Sequence, residues 1–273
     1  MFIAKNKENG QMVYIDEADY NAEYICPVCN SPVIIKHGSI NVPHFAHKNK
    51  TLCDTFSQDM SEWHKWWQAQ FPKKNREHVE ELTLSVKEYY RASIKHQFYT
   101  SHTDDFCAQH GWDEQITIKH RADVRANGYV VEFQNSPISR TEFNERNWFY
   151  QAIGCKVIWV FNLIDEVDEE RLKWYEKTNN GAKWQWKNPR KTFMSVVPQR
   201  YKKTTQPSSG DAVILFVQIA EQTEEEGVGY MERITWARPS DYEESTSDYS
   251  RFITKYDVCT ALELKEAIID KAL

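Results

Sequence analysis

The chain has 273 residues, 41% of them hydrophobic, enough to bury at least one sizeable core. Nothing in it approaches the roughly 18 consecutive apolar residues of a membrane span, and its start, MFIAKNKENGQ, has no stretch of signal-peptide length. The expectation is therefore a cytoplasmic protein with no membrane partner, whose six cysteines are thiols or metal ligands rather than disulfides.

A net charge of -6 hides a strong asymmetry. Residues 171–210 carry ten Lys or Arg and one acid, Glu176, whereas residues 211–273 carry fourteen acids and six bases. All nine histidines lie between His37 and His120, which points to chemistry in the first half of the chain.

The first segment, to about residue 55, has the pattern of short strands and turns around a Cys/His cluster. Cys26-Pro27-Val28-Cys29 supplies two thiols on one tight turn, and His44-Phe45-Ala46-His47 supplies a second pair of ligands. Two such pairs close a tetrahedron around Zn²⁺, and a closed site of four protein ligands is structural. The short His-x2-His spacing predicts a ribbon or loop in place of a zinc-finger helix. Cys53 competes with His44 for the fourth position. The isolated Cys107, Cys155 and Cys259 are expected to be small buried hydrophobes.

DMSEWHKWWQAQF then predicts a helix, with Asp59 as cap, Glu62 three residues on, and Met60, Trp63, Trp67 and Phe71 as an apolar stripe that Pro72 closes. From Arg76 to Ala92 the pattern is ambiguous, with a lean to strand around Val79–Val86. QITIKHRADV and YVVEFQ are alternating runs joined by Asn127-Gly128, the strongest short hairpin signal. A two-residue loop there sets Ala126 opposite Tyr129, Asp123 opposite Glu132 and Arg121 opposite Gln134. Ala122, Val124, Val131 and Phe133 take the other face, the one to bury. Like charges in direct opposition are destabilising. The pair therefore implies either a cation between them or a solvated face neutralised by Arg121 and Arg125. Mg²⁺ or Mn²⁺ suits carboxylate oxygens and can activate a water against a phosphodiester. Glu62 and His64 on the preceding helix are further candidates for this site.

Ser139-Arg140-Thr141-Glu142 is a capping box opening a helix to about Ile153, with Gly154 as its C-cap, and KVIWVF is a fully buried strand. Helix, strands, helix, strand describe an α/β layer structure around a mixed sheet. The basic stretch beyond KVIWVF interleaves Trp174, Tyr175, Trp184, Trp186 and Phe193 with cations. Lys183, Trp184, Trp186, Lys187, Arg190 and Lys191 are candidates for nucleic-acid contact, by phosphate pairing and base stacking. The competing reading is an amphipathic element whose tryptophans fill core. After a turn-rich linker at 204–211, AVILFVQIA and ERITWA are expected as strands and ALELKEAIIDKAL as a terminal helix.

Taken in order, YICPVC with HFAH, SEWHKWW, HRADV, VEFQNSPIS, the Glu142–Arg146–Tyr150 helix and VIWVF resemble the competence protein CoiA-like nucleases over residues 20–165. Asp123 followed by Glu132-x-Gln134 resembles the PD-(D/E)XK pattern, with Gln in place of the usual Lys. Composition and spacing divide the chain into four parts, and over the first two the resemblance implies an α/β (α+β) nuclease-like fold. The four parts are a zinc-binding module at 1–55, a restriction-endonuclease-like core at 56–165, a basic aromatic-rich segment at 166–210 and an acidic region of unassigned role at 211–273. The resemblance further implies a Mg²⁺- or Mn²⁺-dependent DNA nuclease, in which Asp123 and Glu132 hold the metal, Gln134 stands for the lysine and Glu62 or His64 is the helix contribution. Loss of the lysine's charge leaves open a second reading, a non-catalytic DNA-binding accessory protein. Substrate form, pathway, protein partners and oligomeric state are not specified by sequence.

Overall fold

A computed structural model describes residues 1–37, 42–49, 53, 61–170, 172–177, 181–187, 213–218, 230–234, 250–254 and 258–270. Asp59, Met60, Arg190, Lys191 and the linker at 204–211 lie outside the described residues. The fold is mixed α/β, and the chain divides into two compact units, Met1–Lys95 with Tyr99–Arg125, and His96–Phe98 with Ala126–Leu273.

In the first unit, β1 (Ile3–Asn6), β2 (Met12–Tyr14), β3 (Tyr24–Ile25), β4 (Pro32–Lys36) and β5 (His44–His47) form an antiparallel sheet in the order β2-β1-β3-β4-β5. Phe2, Tyr14, Tyr24, Val33 and Phe45 are buried in a cluster of their own. This ribbon therefore has an apolar core beside its Cys/His cluster.

The helix predicted from Asp59 is α1 (Glu62–Ala69). Its N-cap is Ser61, whose hydroxyl accepts the His64 N–H at 3.3 Å. Trp67 and Phe71 are 1% exposed, as the stripe requires. The ambiguous stretch resolves into both readings: β6 (Arg76–Ser85) is strand, and α2 (Val86–Lys95) follows without a break. Ser85 and Glu88 cause the switch, because the Glu88 carboxylate takes the Ser85 N–H at 2.8 Å and hydroxyl at 2.7 Å. Those groups act as a cap and the ladder gives way to helix. α3 (Ser101–Ala108), which the hydrophobic pattern did not announce, opens on a Thr100–Thr103 box. The chain then returns as β7 (Gln115–Ala126), antiparallel to β6 from Ser85↔Gln115 to Arg76↔Val124.

The second unit begins at the predicted turn. Asn127 and Gly128 have φ of 48° and 90°, the positive values a type I′ turn demands at both central residues. β8 (Tyr129–Gln134) follows, then α4 (Arg140–Ala152), capped by the Ser139 hydroxyl on the Glu142 N–H at 3.1 Å and followed by Gly154 at φ 82°. β9 (Lys156–Asn162) is parallel to β8 and to β12 (Val213–Gln218). β13 (Tyr230–Ile234) and β15 (Val258–Thr260) extend the sheet antiparallel, and a helix spans Ala261–Ile269. Parallel pairing explains a departure from expectation. β8 is buried on both faces, not one, because parallel sheets are covered on both sides. Glu132 and Gln134 are therefore 2% and 0% exposed. No helix among the described residues is long and apolar enough to cross a membrane.

Candidate functional site

The turn carrying Cys26-Pro27-Val28-Cys29 is closed by the Asn30 N–H on the Cys26 carbonyl at 2.9 Å, with Asn30 at φ 58°. The β4–β5 ladder pairs Val33 with His47 and so carries His47 up to that turn. Together with Cys53, the ligand atoms of Cys26, Cys29 and His47 lie within 4.8 Å of one another. Cys26 Sγ is 3.6 Å from Cys53 Sγ, and Cys29 Sγ is 3.3 Å from His47 Nε2. Zinc bonds of about 2.3 Å to sulfur and about 2.0–2.1 Å to nitrogen, at tetrahedral angles, put ligand atoms about 3.5–3.8 Å apart. The donor set and its spacing fit Zn²⁺. His44 stands outside the group of four, with its Nδ1 2.7 Å from the Val42 carbonyl oxygen. Alternation along β5 keeps His44 from replacing Cys53: it is three residues from His47, an odd step that changes face.

The thiols differ in acidity. Burial raises the Cys26 thiol. Burial also acts to raise Cys29, but hydrogen bonds from the Ser31 side chain and backbone, with further ones from Cys53 and His47, outweigh it and bring Cys29 down to about 6. At neutral pH Cys29 is thus largely thiolate, the form that binds metal. Cys107 and Cys155 are buried, as their isolation predicted.

Asp123 sits half-buried on β7, between Ala122 and Val124, which are 0% exposed. Its Oδ1 accepts from the Gln68 amide nitrogen at 3.1 Å. Gln68 is fully buried on α1, and its amide oxygen accepts from the Tyr14 hydroxyl at 3.4 Å. Gln68 is therefore a side chain of α1 that reaches this carboxylate. His64, one turn earlier, is buried with Nδ1 3.2 Å from the Ser61 hydroxyl, whereas Glu62, two residues from His64, is exposed. Across the β6–β7 ladder, Glu77 falls between the paired positions Arg76↔Val124 and His78↔Ala122, the interval that holds Asp123 on β7. It is 2% exposed, has φ 48°, and its Oε2 accepts the N–H groups of Phe2 and Ile3 at 2.8 Å each. An isolated Glu in a strand pattern carries no sequence signal for this role, which ties the first residues of the ribbon to β6.

In the second unit, Glu132 Oε2 accepts from Arg146 Nη1 at 2.7 Å, with both side chains 3% exposed. Arg146 Nη2 donates to Glu142 Oε1 one helical turn away, and its guanidinium lies over the Trp159 ring at 5.7 Å. Burial works against the charge on Arg146, but Glu132 and Glu142 outweigh it and hold its pKa above the ordinary arginine value. The i,i+4 spacing of Glu142 and Arg146 was visible in the sequence, but the long-range partner Glu132 was not. Gln134, 0% exposed, donates through its amide to the Ser136 carbonyl.

The basic segment contains two antiparallel strands, β10 (Leu172–Lys177) and β11 (Gly181–Lys187), and β11 also pairs with β14 (Ser250–Thr254). The β10–β11 ladder brings Trp184 into register with Trp174 and Lys183 into register with Tyr175.

Residues 8–56 match the family model described as the competence protein CoiA N-terminal domain, and residues 114–208 match that described as the competence protein CoiA nuclease-like domain. No curated protein and no solved structure gives a significant match. The first segment contains the three thiols and the imidazole of the metal group, the second contains Asp123, Glu132, Gln134 and Arg146, and together they cover a little over half of the sequence. The chain belongs to the competence protein CoiA-like family.

Proposed function

We propose that this protein is a zinc-stabilised, Mg²⁺- or Mn²⁺-dependent nuclease that hydrolyses DNA phosphodiesters in DNA uptake or mobile-element processing. The observation that carries the reading is that the nuclease-like segment, residues 114–208, includes both carboxylates of the acidic pattern, Asp123 and Glu132. The register read from the sequence sets these two acids face to face across Asn127-Gly128, and the positive φ at both turn residues supports that register. Carboxylate oxygens are the donors that hard divalent ions take. When bound, such an ion supplies Lewis-acid stabilisation of the phosphate and a nucleophilic water at neutral pH.

The chain's own groups do the positioning. Gln68 orients Asp123 through its amide, and Arg146 orients Glu132. Arg146 also supplies, from α4, the positive charge that a lysine at position 134 would have brought to the site. Lys183 and Lys187 on β11 take phosphates of the substrate. Zinc at Cys26, Cys29, His47 and Cys53 is structural, since four protein ligands leave no open position.

One observation favours the second reading, a DNA-binding accessory without turnover. The buried guanidinium 2.7 Å from Glu132 already neutralises that carboxylate, and a cation in that place competes with a metal. A cleavage assay on plasmid and single-stranded DNA with Mg²⁺ or Mn²⁺ separates the two. Cleavage by the wild type, lost in Glu132→Ala and in Asp123→Ala, is the expected result. DNA binding with no cleavage under any of these ions would establish the accessory reading.

A further inference from the structure

The stretch that joins β6 to β7 lies outside both family-matched segments, so the family's chemistry does not account for what it carries. It folds as α2 and α3 over a small satellite core of Val86, Cys107 and Ile116, with Tyr89 and Phe106 packed against it. On its outer side is a concave site of about 420 Å³ lined by Lys87, Tyr90, Arg91, Ile94, Trp112 and Asp113. Two large apolar side chains stand open there: Trp112 is 54% exposed and Ile94 is 55% exposed. Helix periodicity puts Lys87, Arg91, Tyr90 and Ile94 on adjoining rows of α2.

We propose that this site binds an unpaired nucleotide of a single-stranded nucleic acid, with a base on the Trp112 indole and the flanking phosphates on Lys87 and Arg91. Three observations carry it. The indole is exposed but fixed. The Lys87 N–H donates to the Trp112 carbonyl at 3.0 Å, and Tyr90 meets the indole at 86° with ring centroids 5.3 Å apart. A fixed aromatic surface loses little entropy on binding and stacks any base. Secondly, Lys87 and Arg91 form no ion pair among the described residues. The nearest acid on their helix, Glu88, is bonded to Ser85 through both the N–H and the hydroxyl, and Arg91 acts on it only as a weaker through-space charge. Four residues along a helix separate the two cations by about 6 Å along its axis, which lets them meet successive phosphates of an extended strand. Thirdly, paired bases are already stacked on their neighbours, so a lone exposed indole selects unpaired ones. Asp113 also lines the site, and its carboxylate opposes any phosphate not held by the two cations, which limits the site to a short stretch of strand.

This inference goes beyond the nuclease reading, and its test does not depend on cleavage. Binding of a labelled oligothymidine by the full-length Asp123→Ala chain, followed by fluorescence anisotropy without added divalent ion, reads the site alone. Trp112→Ala is expected to weaken single-strand binding about fivefold or more, and Trp112→Phe to restore most of it. Lys87→Ala with Arg91→Ala should flatten the salt dependence by about 0.7 per lost phosphate contact. Because Lys87 and Arg91 are exposed, that pair keeps the test valid should a Trp112 variant fail to fold, which thermal melting reports. A blunt duplex should bind equally well with and without Trp112. Unchanged affinity and salt slope in all variants would overturn the proposal, as would equal competition by an acidic peptide, which would make this a protein-docking surface.

Discussion

Cys53 and His44 show how a fourth ligand is chosen by position and not by residue type. Both are good zinc donors, but only Cys53 stands within reach of Cys26, Cys29 and His47, while His44 is turned to the Val42 carbonyl. Elemental analysis should therefore find about one zinc per chain, lost in Cys53→Ser and retained in His44→Ala. Zinc retained in the first and lost in the second would reverse the assignment. Arg146 bears on stability through its buried pair with Glu132. Replacing it with Met leaves Glu132 buried without its guanidinium, and breaking such a pair costs about 3–5 kcal/mol. Denaturant unfolding should show that loss in Arg146→Met, with a smaller one in Arg146→Lys. Gln68 tests the orientation of Asp123. Gln68→Leu keeps the volume but removes the 3.1 Å hydrogen bond, so metal-dependent cleavage should fall while zinc content stays constant. Unaltered cleavage would mean that Gln68 is only core.

The elements most dependent on local chemistry are the turn at 127–128 and the start of α4. Gly128 has φ 90°, and a Cβ there would meet nothing within 4 Å, so any cost of Gly128→Ala comes from the backbone and not from collision. It should be about 1–2 kcal/mol, the cost of a left-handed conformation for an L side chain. Ser139→Ala removes the cap on the Glu142 N–H and should cost about 1 kcal/mol. If neither variant lowers the melting midpoint, the turn and cap do not hold these elements in place. Both features were legible because their signals, Asn-Gly and Ser-x-x-Glu, act within four residues. α2 was not fully legible, because its start depends on Glu88 reaching back to Ser85 at the end of a strand that equally favours continuing. The cap of α1 fell to Ser61 in place of Asp59 for a similar reason: two capping residues stood two apart, and only hydrogen-bond geometry separates them.

At the scale of the molecule, the N-terminal ribbon is tied to α1 and β6 by contacts that need no metal. Glu77 on β6 takes the N–H groups of Phe2 and Ile3, and Tyr14 on β2 donates to Gln68 on α1. The ribbon also has its own apolar cluster. Removing zinc with a chelator, or by Cys26→Ser, should consequently loosen residues 1–55 to protease without unfolding the second unit. A protease-resistant ribbon after complete zinc loss would show that apolar burial alone holds it, and simultaneous loss of both units would show that zinc stabilises the whole chain.

The sequence by itself determined the elements whose cause is local: the Cys-x2-Cys knuckle, the tight turn before β8, the capped helix α4, the buried strand β9 and the family. Its hydrophobic period also identified Ala122 and Val124 as buried positions on β7. Only the tertiary structure decided that Cys53, and not His44, joins Cys26, Cys29 and His47, that Gln68 touches Asp123, and that Arg146 covers Glu132. Each of these joins residues far apart in the chain. A ligand residue, an amide or an i,i+4 ion pair looks the same in sequence whatever it meets. The pairing is settled by β-ladder register and by which helix face the core buries, and those depend on burial summed over the folded chain.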